Sequence, residues 1–143
     1  MSHLVLPDAY PCAFCDYLRG ARPYTVLHRN SDAAVLVTRE QRGVSHLLVV
    51  PTRHVPSILE LEDDQAHAVI DLVRRAAAAI DEVDQRPGIS IWQNNGVVAK
   101  QAIPHLHFHV AGTVDGGGTE WDRVRELSVA ETDGIAARLR PVF

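Results

Sequence analysis

Three histidines occupy alternate positions in the short segment PHLHFHV, residues 104–110, where apolar residues separate His105, His107 and His109. Successive side chains of a β-strand point to opposite faces, so on a strand the three imidazoles would share one face. Phenylalanine and valine favour strands, and Pro104 suits the start of one. The pattern therefore predicts a strand with an imidazole face that serves as a metal site, a catalytic site or both. The alternative is three histidines on a solvated sheet face.

A pair of cysteines, Cys12 and Cys15, lies near the N-terminus in the segment CAFC. Two cysteines do not indicate a disulfide framework, so the pair is either a redox couple or half of a metal site. A thioredoxin-like motif follows a strand, whereas the segment PDAYPC leads into this one. The spacing therefore favours two thiolates that bind one ion.

Length and charge limit the classes of protein to consider. A chain of 143 residues is long enough for one domain with its own core, and we expect a single domain over residues 1–143. A net charge of −4 provides no overall basic field, so we expect no stable binding of nucleic acid. No apolar run approaches the roughly 18 residues of a membrane span, and the segment MSHLVLPDAY does not resemble a secretory signal. We therefore expect a cytoplasmic protein without membrane contact.

The elements that must position these residues alternate in type along the chain. Apolar runs bounded by turn residues predict strands at 24–29, 33–38, 46–51, 89–94 and 105–112. A helix is predicted over residues 59–83, with a core stripe that includes Ile70, and a short helix is predicted over the segment FCDYLRG. Ser128 and Glu131 form a capping-box pattern that begins a final helix over 129–139. Short connections favour antiparallel pairing, so the fold class is α+β: an antiparallel five-stranded meander sheet with one long helix and short terminal helices.

The segment HLHFHV resembles the signature of the histidine triad (HIT) family, in which three histidines alternate with apolar residues. The segments SHLLVVPTRHV and QNNGVVAKQAIP are similar to the family's regions before the long helix and before the triad, and CAFCDYLRG is similar to the N-terminus of many bacterial members. The likeness runs in matching order over a core of about 12–121. Ala111 and Gly112 after the triad, followed later by a tryptophan, look more like the Hint branch than the Fhit branch.

The resemblance implies an activity. It indicates a nucleotide hydrolase or nucleotidyl transferase that acts at the α-phosphate of a nucleoside monophosphate derivative, such as a purine nucleoside phosphoramidate or a dinucleoside polyphosphate. His107, at the middle triad position, would be the nucleophile that forms a nucleotidyl-histidine intermediate. His109 would bind phosphate oxygens or assist the leaving group, although a purely structural role is the alternative. The resemblance also implies a homodimer.

The resemblance further implies a structural zinc site of the Cys2His2 type, formed by Cys12, Cys15, His54 and His105. Such a saturated tetrahedral site is typically structural. Three alternatives stay open: free reduced cysteines, His46 in place of His54, and a catalytic metal bound by the HxHxH strand alone.

Three further residues match substrate-contacting positions of the family: Asn94, Gln101 and Trp121. Without the resemblance they would be a turn residue, a polar loop residue and a buried aromatic residue. The chain departs from the family pattern at three positions: Thr38 stands at a ribose-binding Asp or Asn, Lys100 at a glycine, and Ala102 at a serine. These departures keep open a second function, a zinc-stabilised nucleotide-binding interaction protein with little catalysis. A third reading is a zinc-dependent structural or redox protein that uses Cys12 and Cys15.

Overall fold

The computed structural model describes residues 2–143 and contains five strands and three α-helices within that range. In chain order they are α1 (Ala13–Leu18), β1 (Thr25–Arg29), β2 (Ala33–Val37), β3 (Val44–Pro51), α2 (Asp63–Asp84), β4 (Ile89–Trp92), β5 (Phe108–Gly112) and α3 (Val129–Leu139). Short 3-10 turns lie at Ile58–Glu60, Val97–Ala99 and Arg140–Val142. No helix among these residues is both long and apolar enough to cross a membrane.

The strands form one antiparallel sheet in the order β1-β2-β3-β5-β4. The prediction of a five-stranded antiparallel sheet with one long helix and short helices is confirmed. Only β1 to β3 form a simple meander. After β3, the chain runs through α2 and does not pair the next strand directly with β3. Instead, β4 forms the edge strand, and β5 returns between β4 and β3. The strand that contains His109, β5, is therefore an interior strand with a neighbour on each side.

Both faces of the sheet are apolar, as the alternation along the fully buried strand β2 shows. Ala33, Val35 and Val37 of β2 belong to the core cluster that α2 and α3 cover. Ala34 and Leu36 belong to a second cluster with α1. The short helix α1 covers only part of that second face, which leaves room for a cleft.

The helix boundaries follow their capping residues. The helix predicted from residue 59 begins instead at Asp63, because Ser57 and Glu60 form a capping box that begins a separate 3-10 turn, after which the chain is extended at Leu61. The core stripe of α2 includes Val69, Leu72, Val73, Ala76 and Ile80. Ile70 was wrongly placed in this stripe, since its side chain is 50% exposed. The predicted capping box of α3 is present at Ser128.

The histidine-rich segment is not one continuous strand, which corrects the prediction of a shared imidazole face. Strand β5 begins at Phe108, so only His109 of the three histidines lies within it. The backbone before β5 forms its hydrogen bonds outside the sheet. The amide of His105 donates to the carbonyl of Ile103 at 2.8 Å, and the amide of Leu106 donates to the carbonyl of Val55 at 2.7 Å. These bonds turn the chain before β5, and the three imidazoles separate into two sites.

Candidate functional site

A cleft of about 730 Å³ lies on the α1 side of the sheet and contains two of the three histidines, His107 and His109. Its walls come from α1, from the ends of β1 and β2, from β4 and from the loop before β5. The three residues that depart from the family pattern also line this cleft: Thr38, Lys100 and Ala102.

Aromatic rings form a continuous series through the cleft. Phe14 contacts His107 at 5.0 Å between ring centroids, His107 contacts His109 at 4.9 Å, and Trp92 stacks on His109 at 4.7 Å with an interplanar angle of 4°. Trp121 then lies 5.5 Å from Trp92. The two histidines at the centre are thus flanked by apolar ring surfaces on both sides, which suits a ligand with a phosphate between flatter groups.

The hydrogen bonds of His107 fix which ring nitrogen is available. Its Nδ1 lies 2.8 Å from the carbonyl oxygen of His105, so Nδ1 carries the proton and donates it to that carbonyl. Nε2 is then the lone-pair nitrogen. Burial lowers the pKa of His107, and the bond to the His105 carbonyl opposes this effect in part. A neutral imidazole with its second nitrogen held in this way is suited to nucleophilic attack.

A second histidine outside the triad fixes the tautomer of His109. The backbone N–H of Arg42 donates to Nδ1 of His46 at 3.1 Å, so the proton of His46 resides on Nε2. That Nε2 donates to Nδ1 of His109 at 3.0 Å, so His109 carries its own proton on Nε2. Burial lowers the pKa of His46 to about 3, and burial followed by the nearby His107 lowers that of His109 to about 2. His109 is therefore a neutral hydrogen-bond donor.

The sequence offers His46 as an alternative metal ligand and does not predict its hydrogen bond to His109. No spacing along the chain predicts it, because His46 and His109 are 63 residues apart. Trp92 was also missed, although it is the direct cross-strand partner of His109 in the β4–β5 pair.

The predicted substrate-contacting residues separate into two groups. Asn94 and Trp121 line the cleft, and the side chain of Trp121 is 70% exposed. Gln101 does not line it, because its side chain is 2% exposed and fully engaged with the backbone. Its Oε1 accepts from the N–H of Gly96 at 2.7 Å, and its Nε2 donates to the carbonyls of Pro56 at 2.8 Å and Ile103 at 3.0 Å. Gln101 therefore fixes the loop before β5 and has no free group for a phosphate.

Thr38 is also engaged within the protein. Its Oγ1 accepts from the backbone N–H of Glu40 at 3.2 Å, and it lies close to the hydroxyl of Tyr24. Burial raises the pKa of that Tyr24 hydroxyl, which keeps it protonated.

The third triad histidine lies in a separate cluster beside the cleft. Ligand atoms of Cys12, Cys15, His54 and His105 all lie within 4.8 Å of one another. Nδ1 of His105 is 3.5 Å from Sγ of Cys12 and 3.6 Å from Sγ of Cys15, and Nδ1 of His54 is 3.2 Å from Sγ of Cys15. The cluster contains His54 and not His46, whose nitrogens are both used elsewhere.

The donor set of this cluster fits a divalent metal. Nε2 of His105 donates to the carbonyl of Pro51 at 2.8 Å, which leaves Nδ1 unprotonated toward the two sulfurs. Burial, and then the hydrogen bond and charge of Cys12, raise the pKa of Cys15 to about 12, so a thiolate there requires a compensating cation. Two sulfurs and two imidazole nitrogens are a common tetrahedral set for zinc.

The sequence of the chain is similar to the sequences of several known proteins. The HIT domain matches residues 19–115 of the chain. An uncharacterized HIT-like protein of Methanocaldococcus jannaschii is 30% identical over 129 residues, which cover 90% of this chain and 98% of that protein. An adenosine 5′-monophosphoramidase of Schizosaccharomyces pombe is 28% identical over 99 residues, 69% of this chain and 71% of that enzyme.

Among solved structures, a Zn-bound histidine triad family protein from Mycobacterium smegmatis has the same fold. The TM-score is 0.78 at 21% identity, and the match covers 94% of each chain. Taken with the family match over residues 19–115, these likenesses show that the chain belongs to the HIT domain family.

Proposed function

We propose that this protein is a nucleotide hydrolase or nucleotidyl transferase that acts at the α-phosphate of a nucleoside monophosphate derivative. Suitable substrates are purine nucleoside phosphoramidates and dinucleoside polyphosphates. The observation that carries this proposal is the orientation of His107, whose Nδ1 is bound to the carbonyl of His105 at 2.8 Å. That bond leaves Nε2 as the nucleophilic nitrogen in a cleft that also contains His109. The monophosphoramidase activity named for the S. pombe relative supports this reaction class.

The reaction has two displacements at phosphorus. In the first, Nε2 of His107 forms a bond to the α-phosphorus as the bond to the leaving group breaks. The leaving group departs with the bonding electrons, and an amine takes up a proton from solvent as it leaves. The positive charge that develops on the imidazole is stabilised through Nδ1–H by the His105 carbonyl. His109 donates its Nε2 proton in a hydrogen bond to a phosphoryl oxygen. In the second displacement, water attacks phosphorus and loses a proton to solvent, the P–N bond breaks with its electrons returning to Nε2, and the nucleoside monophosphate leaves with regeneration of the neutral imidazole.

We also propose that Cys12, Cys15, His54 and His105 bind a structural zinc ion. The ion would connect α1, the end of β3 and the loop before β5. Its role would be to fix His105, whose carbonyl orients His107, and not to take part in the reaction. The zinc bound by the M. smegmatis protein supports the choice of metal.

A homodimer is the proposed assembly. The outer edge of β4 pairs with no strand of the described chain, and Ile91 on this strand is 50% exposed. An unprotected edge strand is a ready template for pairing with a second copy.

A chemical trap distinguishes catalysis from simple nucleotide binding. The protein is mixed with adenosine 5′-phosphoramidate, quenched within milliseconds, digested and analysed by mass spectrometry. We expect an adenylyl group on the peptide that contains His107, together with steady release of AMP. Binding of AMP without an adduct and without turnover would instead support a nucleotide-binding protein with little catalysis.

A further inference from the structure

Lys100 is the only lysine in a chain whose lysines and arginines number 14. It lies in the wall of the cleft, at the end of the 3-10 turn Val97–Ala99. The position is one residue away from Gln101, the buried side chain that fixes this loop. The single lysine of the chain thus lies beside the proposed reaction centre, which suggests a specific role for it.

The backbone at Lys100 makes the choice of residue more notable. Its φ is +72° and its ψ is 23°, a left-handed conformation that is unfavourable for any residue with a Cβ and natural for glycine. Its N–H donates to the carbonyl of Val97 at 3.0 Å, so the conformation is held by the turn. A lysine in this conformation lowers the stability of the fold relative to a glycine. Residues with such backbone strain are common at functional sites.

The other basic groups of the cleft are already paired. The guanidinium of Arg39 lies 3.0 Å from the carboxylate of Glu126. That of Arg42 lies 3.7 Å from the carboxylate of Glu40 and donates to the carbonyl of Asp122 at 2.7 Å. Lys100, in contrast, forms no ion pair within 4.0 Å with any residue of the described range, and its side chain is exposed. It is the available positive charge beside a centre built from neutral imidazoles.

We propose that Lys100 is a specificity-determining residue that binds an anionic leaving group, a phosphate, phosphoanhydride or sulfate attached to the α-phosphorus. This inference rests on the proposed function, because a leaving group exists only if His107 attacks phosphorus. An ammonium group is a mobile point charge that can follow phosphate oxygens along a chain of variable length. A neutral amine as the leaving group gains nothing from it.

The test compares two substrates that share an adenylyl group. Adenosine 5′-phosphoramidate has a leaving group without negative charge, and diadenosine tetraphosphate has an anionic one. In Lys100→Gly we expect the ratio of kcat/KM for the tetraphosphate to kcat/KM for the phosphoramidate to fall by roughly ten-fold, as for the loss of one charge-assisted hydrogen bond. Lys100→Arg keeps the charge and should retain most of the ratio. Added salt should lower the ratio in the wild type and much less in Lys100→Gly.

An unchanged ratio in Lys100→Gly would overturn the inference, as would an equal fall in Lys100→Arg. The glycine variant is compatible with the left-handed backbone, so a folding defect is not expected, and thermal melting checks this. If the wild type turns over neither substrate, the proposed function has failed. The role of Lys100 in binding anions is then tested by calorimetry of ADP and AMP binding. A preference for ADP over AMP that disappears in Lys100→Gly would still support the anion contact, and an unchanged preference would refute it.

Discussion

Nε2 of His46 donates a hydrogen bond to Nδ1 of His109 at 3.0 Å, although neither the sequence spacing nor the triad pattern connects the two residues. The bond completes a chain of donors from the backbone of Arg42 through His46 to His109. The tautomer of His46 therefore determines the tautomer of His109, and the Nε2–H of His109 is available in the cleft. His46 acts as a positioning residue, since its own nitrogens do not reach the cleft.

The first expectation concerns acid stability. Burial lowers the pKa of His46 to about 3, below the usual 6.5, so the unfolded chain binds a proton between these values that the folded chain does not. The contribution of His46 to stability is thus complete above pH 6.5 and is lost as the pH falls toward 3. We expect His46→Gln to reduce the slope of unfolding free energy against pH by up to about 1.4 kcal/mol per pH unit in this window. Urea denaturation at pH 7, 6 and 5 measures the slope.

The control is His67→Gln on the exposed surface of α2, which should keep the wild-type slope. Any metal contribution to acid unfolding is common to the three proteins and cancels in the comparison. Equal slopes in His46→Gln and the wild type would show that His46 is protonated in the folded protein, contrary to its hydrogen-bond pattern.

The second expectation separates His107 from His109. His107→Ala should abolish turnover, with a loss of at least about 10³-fold, because the covalent step has no other nucleophile. Nucleotide binding should remain, since Asn94 and His109 still line the cleft. His109→Ala should retain slow turnover, with a loss of about 10²–10³-fold, because it removes one donor to the phosphoryl group. Rates are measured with adenosine 5′-phosphoramidate, and affinity for AMP is measured by calorimetry. Substantial activity in His107→Ala would refute the assignment of the nucleophile.

Local patterns accounted for most of the fold. The apolar run of β2, the capping box at Ser128 and the long amphipathic helix all depend on neighbours in the sequence. The predictions of β2 and α3 matched the observed elements closely, whereas the long helix was predicted to begin four residues before Asp63. The position of β5 between β3 and β4 was not predictable in this way, because the path of α2 across the sheet decides it.

The site shows the same division between local and long-range information. The alternating histidines led to a prediction of one shared face, yet hydrogen bonds from His105 and Leu106 to carbonyls outside the strand place His105 with the cysteines instead. Gln101 has the residue type of a phosphate contact, and only the fold reveals that its amide is used by Gly96, Pro56 and Ile103. Long-range partners thus decide which of the polar residues remain free.

The third expectation tests the structural role of Gln101. Gln101→Ala removes the partner of the partly buried carbonyl of Pro56 and of the buried N–H of Gly96, so we expect unfolding free energy to fall by about 1–3 kcal/mol. Gln93→Ala is a matched control, because Gln93 lies in the same loop and bonds to Asn94 and Asn95 in a less buried position. A loss of activity in Gln101→Ala without loss of stability would indicate direct contact with substrate instead.

The fourth expectation concerns assembly. If the edge strand β4 pairs with a second copy, light scattering should give about twice the chain mass of 15.7 kDa at micromolar concentration. Ile91→Lys should shift the protein toward the single-chain mass, since charged residues on an edge strand oppose pairing. Val98→Lys is the control, because Val98 is 89% exposed but lies outside the strand. A single-chain mass in the wild type would remove the proposed dimer.

The fifth expectation concerns the metal cluster, which should bind about one zinc ion per chain because its four ligands form a complete tetrahedral set. His105→Ala should lose the zinc and lower the melting temperature, since metal binding contributes to folding free energy. It should also reduce activity indirectly, because the backbone carbonyl at this position, which orients His107, would no longer be fixed by a metal-bound side chain. His54→Ala provides the matched test: it removes a ligand from the same cluster without altering the segment of His107. Elemental analysis and thermal melting, with and without a chelator, measure both effects. If His105→Ala keeps its zinc, or if both thiols of the wild type react freely in the absence of chelator, the cluster is not a zinc site.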